Sequence, residues 1–392
     1  MNSLLNGLCL LLPLNNILSA VLGLICILLF VILVVKRKIN LIKENLLRFI
    51  IWGIFCLWIC ANTVFAYDRS VALLGLLDYL PFVLFGFMVS HLGKTVEQQE
   101  QIAQNLIVGS IPVSLFGLFQ VIFNRPDLQL PRLFSSYVIP LGKSPDGRIL
   151  SLFGHFNELG MFIVMILPLM IYKIVMKKDD SRWVSVIALP IGLLVLYFSG
   201  SRNAWAVATI GMMIMAIYYR FWLGLIALVT LGLSLVSAVW LPFASGLRIF
   251  FPASLIERLL STFDPQKTDF FSTASRWHAW QVAIDLIAQR PIVGWGLRNF
   301  TIVAQAQQQE LFGLPHTHNL YLSIAVGAGL PGLVLFLTGI FYAVKTKDEQ
   351  HPLRFMFQSS LGLFLLSSLI DITLYEPRIS LLFWLLVGIL TA

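Results

Sequence analysis

The sequence predicts an all-α polytopic membrane protein with about 11–12 transmembrane helices and one large segment outside the bilayer. Three observations carry that prediction. Of 392 residues, 58% are hydrophobic and only 12% are charged, about half the charged share of a soluble domain. Mean hydropathy is +0.86. The apolar residues fall in unbroken runs near the ~20 residues that a membrane helix requires, not in the alternating ~10-residue segments of a β-barrel. An ordinary soluble enzyme, a disordered chain, a disulfide scaffold and a fibrous protein are excluded on these grounds.

Taken in order, apolar spans are predicted at 16–35, 47–66, 71–91, 103–123, 151–172, 183–199, 203–219, 222–244, 317–344, 355–374 and 379–391. Residues 4–13 are apolar but short for a crossing, and read as a re-entrant piece or a twelfth, short span. The first basic cluster, Lys36, Arg37 and Lys38, follows the first full run instead of preceding it. That is the reverse of a signal peptide, so the first span is expected to be retained. Cys9, Cys26, Cys56 and Cys60 lie in apolar runs and read as small core residues. No internal repeat stands out, nor do paired broken helices in two similar halves.

Net charge is +8, which in a soluble protein would suggest nucleic acid. In a membrane chain it asks which side the cations face. The short loops at 36–48, 94, 173–182, 220 and 345–354 are densely basic and are assigned to the cytoplasm. The alternate loops, including 124–150 and the long segment 245–313, then face outward. The chain divides into 1–150, the first membrane helices with one outer loop, and 151–392, a membrane core containing the outer segment 245–313. The outer side holds more arginines than the charge rule leads one to expect. Snorkelling at headgroup level accounts for single ones; a pocket for an anionic ligand accounts for the group.

Arg202, in Gly200-Ser201-Arg202, opens a span with no room for a linker, at the outer interface. It reads as an interface anchor or as a phosphate clamp. Ser275-Arg276-Trp277-His278-Ala279-Trp280 opens a helix that Pro291 ends, with Trp277, Trp280, Ile284 and Ile287 on one stripe. It is expected to lie in the outer interface, with Arg276 placed to stack on Trp280. Gly294-Trp295-Gly296-Leu297-Arg298 has only part of a dinucleotide-binding spacing and lacks its βαβ context. His316, His318 and Asn319 open the next span, which Gly327, Gly329, Pro331 and Gly332 interrupt deeper in. A histidine there suits general-base chemistry or a structural role; no carboxylate or cysteine beside the pair completes a metal site. Asn157 and Glu158, Asp371 and Glu376, and the loop residues Arg125, Arg132, Lys143 and Arg148 are further candidates that sequence does not rank.

Taken together and in order, Gly200-Ser201-Arg202, Ser275-Arg276 with Trp280 through Pro291 to Gly294-Trp295-Gly296, and His318-Asn319 with Gly329-Leu330-Pro331-Gly332 resemble the O-antigen ligase and O-antigen polymerase superfamily. The resemblance covers roughly residues 150–390. It implies a GT-C-like membrane glycosyltransferase of the bacterial inner membrane with its site facing the periplasm. Such an enzyme passes a glycan from undecaprenyl diphosphate to an acceptor hydroxyl, inverting the anomeric carbon, with no nucleotide sugar, metal or other cofactor. The implied partners are the lipid-linked donor, a lipid A-core or other glycan acceptor and the bilayer, and no nucleic acid. Carried over by position, Arg202 and Arg276 hold the diphosphate and His318 engages the acceptor. His316, Asn319, Trp280, Arg298, Asn157 and Arg148 are the expected substrate-binding residues around them. The rival readings are an O-antigen or exopolysaccharide polymerase, an inorganic-anion transporter using the arginines as a path, and a structural partner in a glycan-assembly complex.

Overall fold

The computed structural model describes residues 2–14, 16–36, 46–123, 128–129, 138–139, 141–144, 147–262, 268–345 and 351–392. Arg37, Lys38, Arg125 and Arg132 lie outside the described residues. The chain opens with α1 (Asn2–Leu11), α2 (Asn16–Val35), α3 (Leu46–Asn62), α4 (Arg69–Leu76), α5 (Leu80–Leu92) and α6 (Val96–Phe123). A short antiparallel ribbon, Leu128–Gln129 against Val138–Ile139, precedes α7 (Phe156–Met176), α8 (Ser181–Ser199), α9 (Arg202–Tyr218) and α10 (Trp222–Trp240). The long inter-span segment forms α11 (Ala253–Leu260), α12 (Thr268–Gln289) and α13 (Phe300–Ala306). The chain closes with α14 (Leu320–Lys345), α15 (Pro352–Ser367) and α16 (Pro377–Thr391).

Among the described residues, six helical stretches are long and apolar enough to cross a membrane: Arg69–Leu92, Val96–Phe123, Phe156–Met176, Ser181–Ser199, Trp222–Trp240 and Leu320–Lys345. Shorter apolar helices lie at Asn2–Leu11, Leu18–Ile32, Phe49–Phe65 and Pro377–Thr391. The protein is a multi-pass membrane protein. Its first helix, at ten residues, is roughly 15 Å long, half the thickness of the hydrocarbon core. α1 lies along α6, with Asn105 Nδ2 donating to Asn6 O and Leu10 O packed against Gly109.

Helices from both ends of the chain share one core. α7 is buried along nearly its whole length and packs on α8, α9 and α15. α16 packs on α5 through glycines, where a Cβ on Gly388 would lie 2.6 Å from Gly86 O. Small residues of this kind let membrane helices approach closely without a hydrophobic driving force. Trp52 of α3 meets Trp384 of α16 at 4.7 Å and Phe336 of α14 at 5.9 Å between ring centroids.

Two predicted spans are interrupted. The run 71–91 is two helices, α4 and α5, separated by a turn at 77–79 that presents Asp78. α14 breaks at Gly329, whose φ of 72° and ψ of 174° are not helical. The break leaves carbonyls unpaired, because Pro331 has no N–H for Gly327 O. The loop after α12 supplies the missing partners. Trp295 N donates to Val326 O at 2.8 Å, Gly296 N to Gly327 O at 2.9 Å, and Leu330 N to Pro291 O at 2.8 Å. Trp58 Nε1 takes Ala328 O at 2.7 Å. A Cβ on Gly329 would lie 1.9 Å from Ile292 O, so only glycine permits this docking. The Gly294-Trp295-Gly296 stretch is therefore a backbone clasp on the broken helix.

α12 shows two faces. Ala279, Val282, Ala283 and Leu286 form its buried stripe and pack with Trp295, Phe300 and Val303. Most of the predicted stripe lies on another side: Trp277 and Ile284 are exposed and Trp280 is half-buried, while Ile287 packs against the buried cluster. The packing face escaped the sequence reading because alanines mark it more weakly than tryptophans do. The expected Arg276–Trp280 stack is absent; Trp280 meets Trp277 instead, with ring centroids 6.0 Å apart.

The two ends of the bundle differ. At one, the starts of α7, α9 and α14 meet the end of α15: Asn157 bonds Asp371, Asn203 Nδ2 donates to Ser367 Oγ at 2.8 Å, and His318 pairs with Asp371. At the other, Glu100 of α6 holds Lys173 at 2.5 Å and Lys177 at 3.0 Å.

Candidate functional site

The loop 368–376, which the sequence reading places partly inside a span, carries the central carboxylate. Asp371 is buried, and its Oδ1 lies 2.9 Å from His318 Nδ1 and accepts from Ile372 N at 2.9 Å. Asn157 Nδ2 donates to Oδ2 at 2.5 Å. Burial alone would raise this carboxyl. The His318 hydrogen bond, the His318 imidazole and the Arg276 guanidinium overcome it and hold Asp371 well below the usual carboxylate range. A carboxylate only accepts, so Nδ1 of His318 is the donor in this bond; in the neutral tautomer that this sets, Nε2 is an acceptor.

His318 is held in a backbone conformation that side chains other than glycine seldom adopt, with φ at 49°. Its N–H donates to His316 Nδ1 at 3.2 Å, and Thr317 Oγ1 bonds Asn319 O at 2.8 Å, fixing the turn. The His316 and His318 ring centroids are 4.1 Å apart. Burial, then the neighbouring His318 and Arg276, pushes His316 down to about 4. His155, the N-cap of α7, is lowered for the same reason, with Arg148, His318 and Arg276 adding to burial. His155, His316, Arg148 and Arg276 thus belong to one electrostatic neighbourhood around the His318–Asp371 pair.

The arginines arrive from separate elements. Arg148 comes from the loop before α7, and its guanidinium lies 3.9 Å from the Phe156 ring centroid. Gly200, at φ 62° after α8, forms a cradle: a Cβ there would sit 3.2 Å from Arg258 Nε and 3.3 Å from the Arg148 side chain. Arg258 of α11 donates from Nε to Gly200 O at 2.9 Å. Arg202, first residue of α9, donates to the hydroxyl of Thr262, which also bonds Arg258 O at 3.1 Å. Arg276 comes from α12. Its Nε is buried and meets no hydrogen-bond acceptor among the described residues. The indole N–H of Trp280, one turn further along α12, is likewise buried and unpartnered there. Buried donors are nearly always satisfied in folded proteins; the core indoles of Trp52 and Trp384 are further buried N–H groups that meet no acceptor among the described residues.

Arg298 stands apart. It forks onto Asp78, with Nε 2.6 Å from Oδ2 and Nη2 2.5 Å from Oδ1, and its guanidinium lies 5.6 Å from the Tyr375 ring centroid. It lines a cavity of about 300 Å³ together with His316 and Tyr375. Asn319 uses its side chain locally, accepting from Leu322 N at 3.0 Å and donating to Leu369 O at 2.9 Å as the cap of α14.

Of the predicted site residues, His318, His316, Asn157, Arg276 and Arg148 meet around Asp371. Arg202 joins through Thr262, Arg258 and Gly200. Arg298 reaches the group across His316, and Asn319 shapes the turn. Asp371, His155 and Arg258 are additions. Asp371 is among the unranked carboxylates of the sequence; His155 bonds within its capping box with Asn157 and Glu158, and Arg258 finds a partner in distant Gly200.

Residues 186–337 match the O-antigen ligase family. The matching stretch, less than half of the chain, runs from α8 into α14 and contains Arg202, Arg276, Arg298, His316 and His318. Arg148, Asn157 and Asp371 lie outside it. No curated protein matches the chain.

Proposed function

We propose that this protein is a membrane glycan ligase that transfers a glycan from undecaprenyl diphosphate to an acceptor hydroxyl at the periplasmic face of the bacterial inner membrane. The observation that carries the reading is the buried Nε of Arg276, which meets no acceptor among the described residues, on an arginine whose charge acts on the His318–Asp371 pair. The basic loops at the Lys173 and Lys345 end are cytoplasmic under the positive-inside rule, which turns the site outward. On this reading residues 1–150 support a GT-C-like core at 151–392, and the segment 245–313 delivers Arg258, Arg276 and Arg298 to it from the periplasm.

His318 Nε2 takes the proton of the acceptor hydroxyl while its oxygen bonds the anomeric carbon. The bond from that carbon to the phosphate oxygen breaks, and its electron pair leaves with the lipid diphosphate. Direct displacement inverts the anomeric configuration. Asp371 holds the imidazole in the tautomer that accepts and favours its cation once formed. Arg276, with Arg148 and Arg202, receives the charge that grows on the diphosphate. His155 and His316, lowered by burial, stay neutral in this cationic surrounding at neutral pH.

The test is transfer of a labelled undecaprenyl-diphosphate-linked glycan by the purified protein in liposomes, with chelator and without nucleotide. Wild type transfers; His318→Ala and Arg276→Ala each lose at least 10²-fold, on the order expected for a general base and a charge-stabilising donor. Undiminished transfer by both variants overturns the site assignment. Anion flux without acceptor overturns the enzyme reading.

A further inference from the structure

We infer that the cavity between Arg298, Tyr375 and His316 is a sugar-ring subsite, and that it receives the acceptor. The inference rests on the transferase reading above and adds a place for its second substrate.

The cavity, about 300 Å³, has an apolar wall of Val71, Phe300, Pro315 and Val326. The lining also contains the Arg298 fork, His316 and the Ser323–Tyr375 hydroxyl pair, whose oxygens lie 2.7 Å apart. The volume is near the lower end of small-ligand sites and holds roughly ten water molecules. A pyranose ring has the matching character, with an apolar C–H face and a rim of hydroxyls. Neither rival occupant fits as well. A lipid tail would bury the charged fork against hydrocarbon. A phosphate would meet a guanidinium already neutralised by Asp78 at 2.5 and 2.6 Å.

Position supports the acceptor in particular. His316 lines the cavity, and its ring lies 4.1 Å from that of His318, so a ring seated there presents a hydroxyl toward the base. Arg276 acts on His316 and, with Arg148, on His155, whereas Arg298 acts on Asp78, Tyr375 and Tyr79. The diphosphate region and the cavity thus meet at His316 and use different arginines. The walls are also fixed. Arg298 adopts φ 61° and is locked by its fork, while Gly296 and Gly327, both in the lining, are joined by the backbone bond of the clasp.

The same ring chemistry is present on the donor's own first sugar, so the experiment must separate the two sources. Binding to purified protein in nanodiscs is measured with three probes: methyl glycosides of glucose, galactose and mannose; undecaprenyl diphosphate; and undecaprenyl diphosphate carrying one sugar. Val71→Trp fills the cavity from the first turn of α4 without touching the ion pair, and Arg298→Ala removes the polar fork. At least one methyl glycoside binds wild type, and both variants weaken it tenfold or more. Both leave the two lipid probes within twofold, and Arg276→Ala does the reverse. Absence of glycoside binding to wild type, or equal binding by all variants, overturns the inference. So does a selective loss of the sugar-bearing lipid in Val71→Trp, which would give the cavity to the donor. Glycoside binding that follows this pattern in a protein without transfer activity would sink the transferase reading and leave the sugar site standing.

Discussion

Two arginines of the segment 245–313, Arg276 and Arg298, are equally prominent in sequence and opposite in circumstance. Arg298 is held by two short bonds to Asp78, a carboxylate presented by the break between α4 and α5. Arg276 has a buried Nε with no acceptor among the described residues, and its charge is felt by Asp371, His155 and His316. The first guanidinium is paired by the fold; the Nε of the second meets no acceptor among the described residues. The two guanidiniums differ in whether the fold supplies a carboxylate partner, and that partner comes from a distant segment.

The sharpest way to break that comparison is to delete each arginine and read activity and stability together. Arg276→Ala removes charge stabilisation of the leaving group, so transfer falls roughly 10²–10³-fold, while melting is almost unchanged because no internal bond is lost. Arg298→Ala leaves Asp78 buried without its partner. A fully buried pair broken in this way costs about 3–5 kcal/mol. Because the Arg298 side chain is 41% exposed, solvent reduces the expected loss to about 1–3 kcal/mol. Asp78→Ala/Arg298→Ala restores part of that loss, since neither ion is then stranded. Equal destabilisation by Arg276→Ala and Arg298→Ala, measured by thermal unfolding in detergent, would make Arg276 structural too.

A smaller effect tests the link between the arginine region and the base. Asp371→Asn replaces an acceptor-only group with an amide whose N–H₂ can face His318. If Nδ1 then accepts, the proton moves to Nε2 and the base is blocked. Transfer falls about 10²-fold through kcat, with donor KM nearly unchanged. A loss expressed only in KM would mean that Asp371 shapes the diphosphate site instead of aiming the imidazole.

The same contrast marks how far sequence reaches. Hydropathy places most of the long helices, because a membrane helix is a one-dimensional property of about twenty consecutive residues. The interruption of α14 is legible as well, in Gly329 and Pro331. The break at Asp78 is not, since a single carboxylate in an apolar run leaves the average almost untouched. For the site, Arg276 and His318 stand out by residue type and position. Their neighbours do not. Asp371 lies 53 residues from His318 and Asn157 lies 214 from Asp371, so only packing selects Asp371 from the other carboxylates. Asn319 stands beside His318 in sequence, and its amide accepts from Leu322 N at the start of α14 and donates to Leu369 O, a pairing that the sequence does not show.

The weakest effect expected is a pH dependence of stability from the histidine that both regions share. His316 is held down to about 4 by burial and by His318 and Arg276, against an ordinary histidine near 6.5. The unfolded chain takes up this proton near pH 6.5, and the folded protein resists it until about pH 4. Its contribution to stability is therefore complete above pH 6.5 and is lost as pH falls between those values. The size is on the order of 1–3 kcal/mol, since His316 is not wholly sealed from solvent. His316→Gln cannot titrate and keeps a side-chain oxygen for the His318 N–H, so unfolding curves of the variant should fall less steeply on acidification than those of wild type. Parallel curves would place the buried imidazole in a more hydrated setting, and with it the boundary between the Arg276 region and the Arg298 cavity.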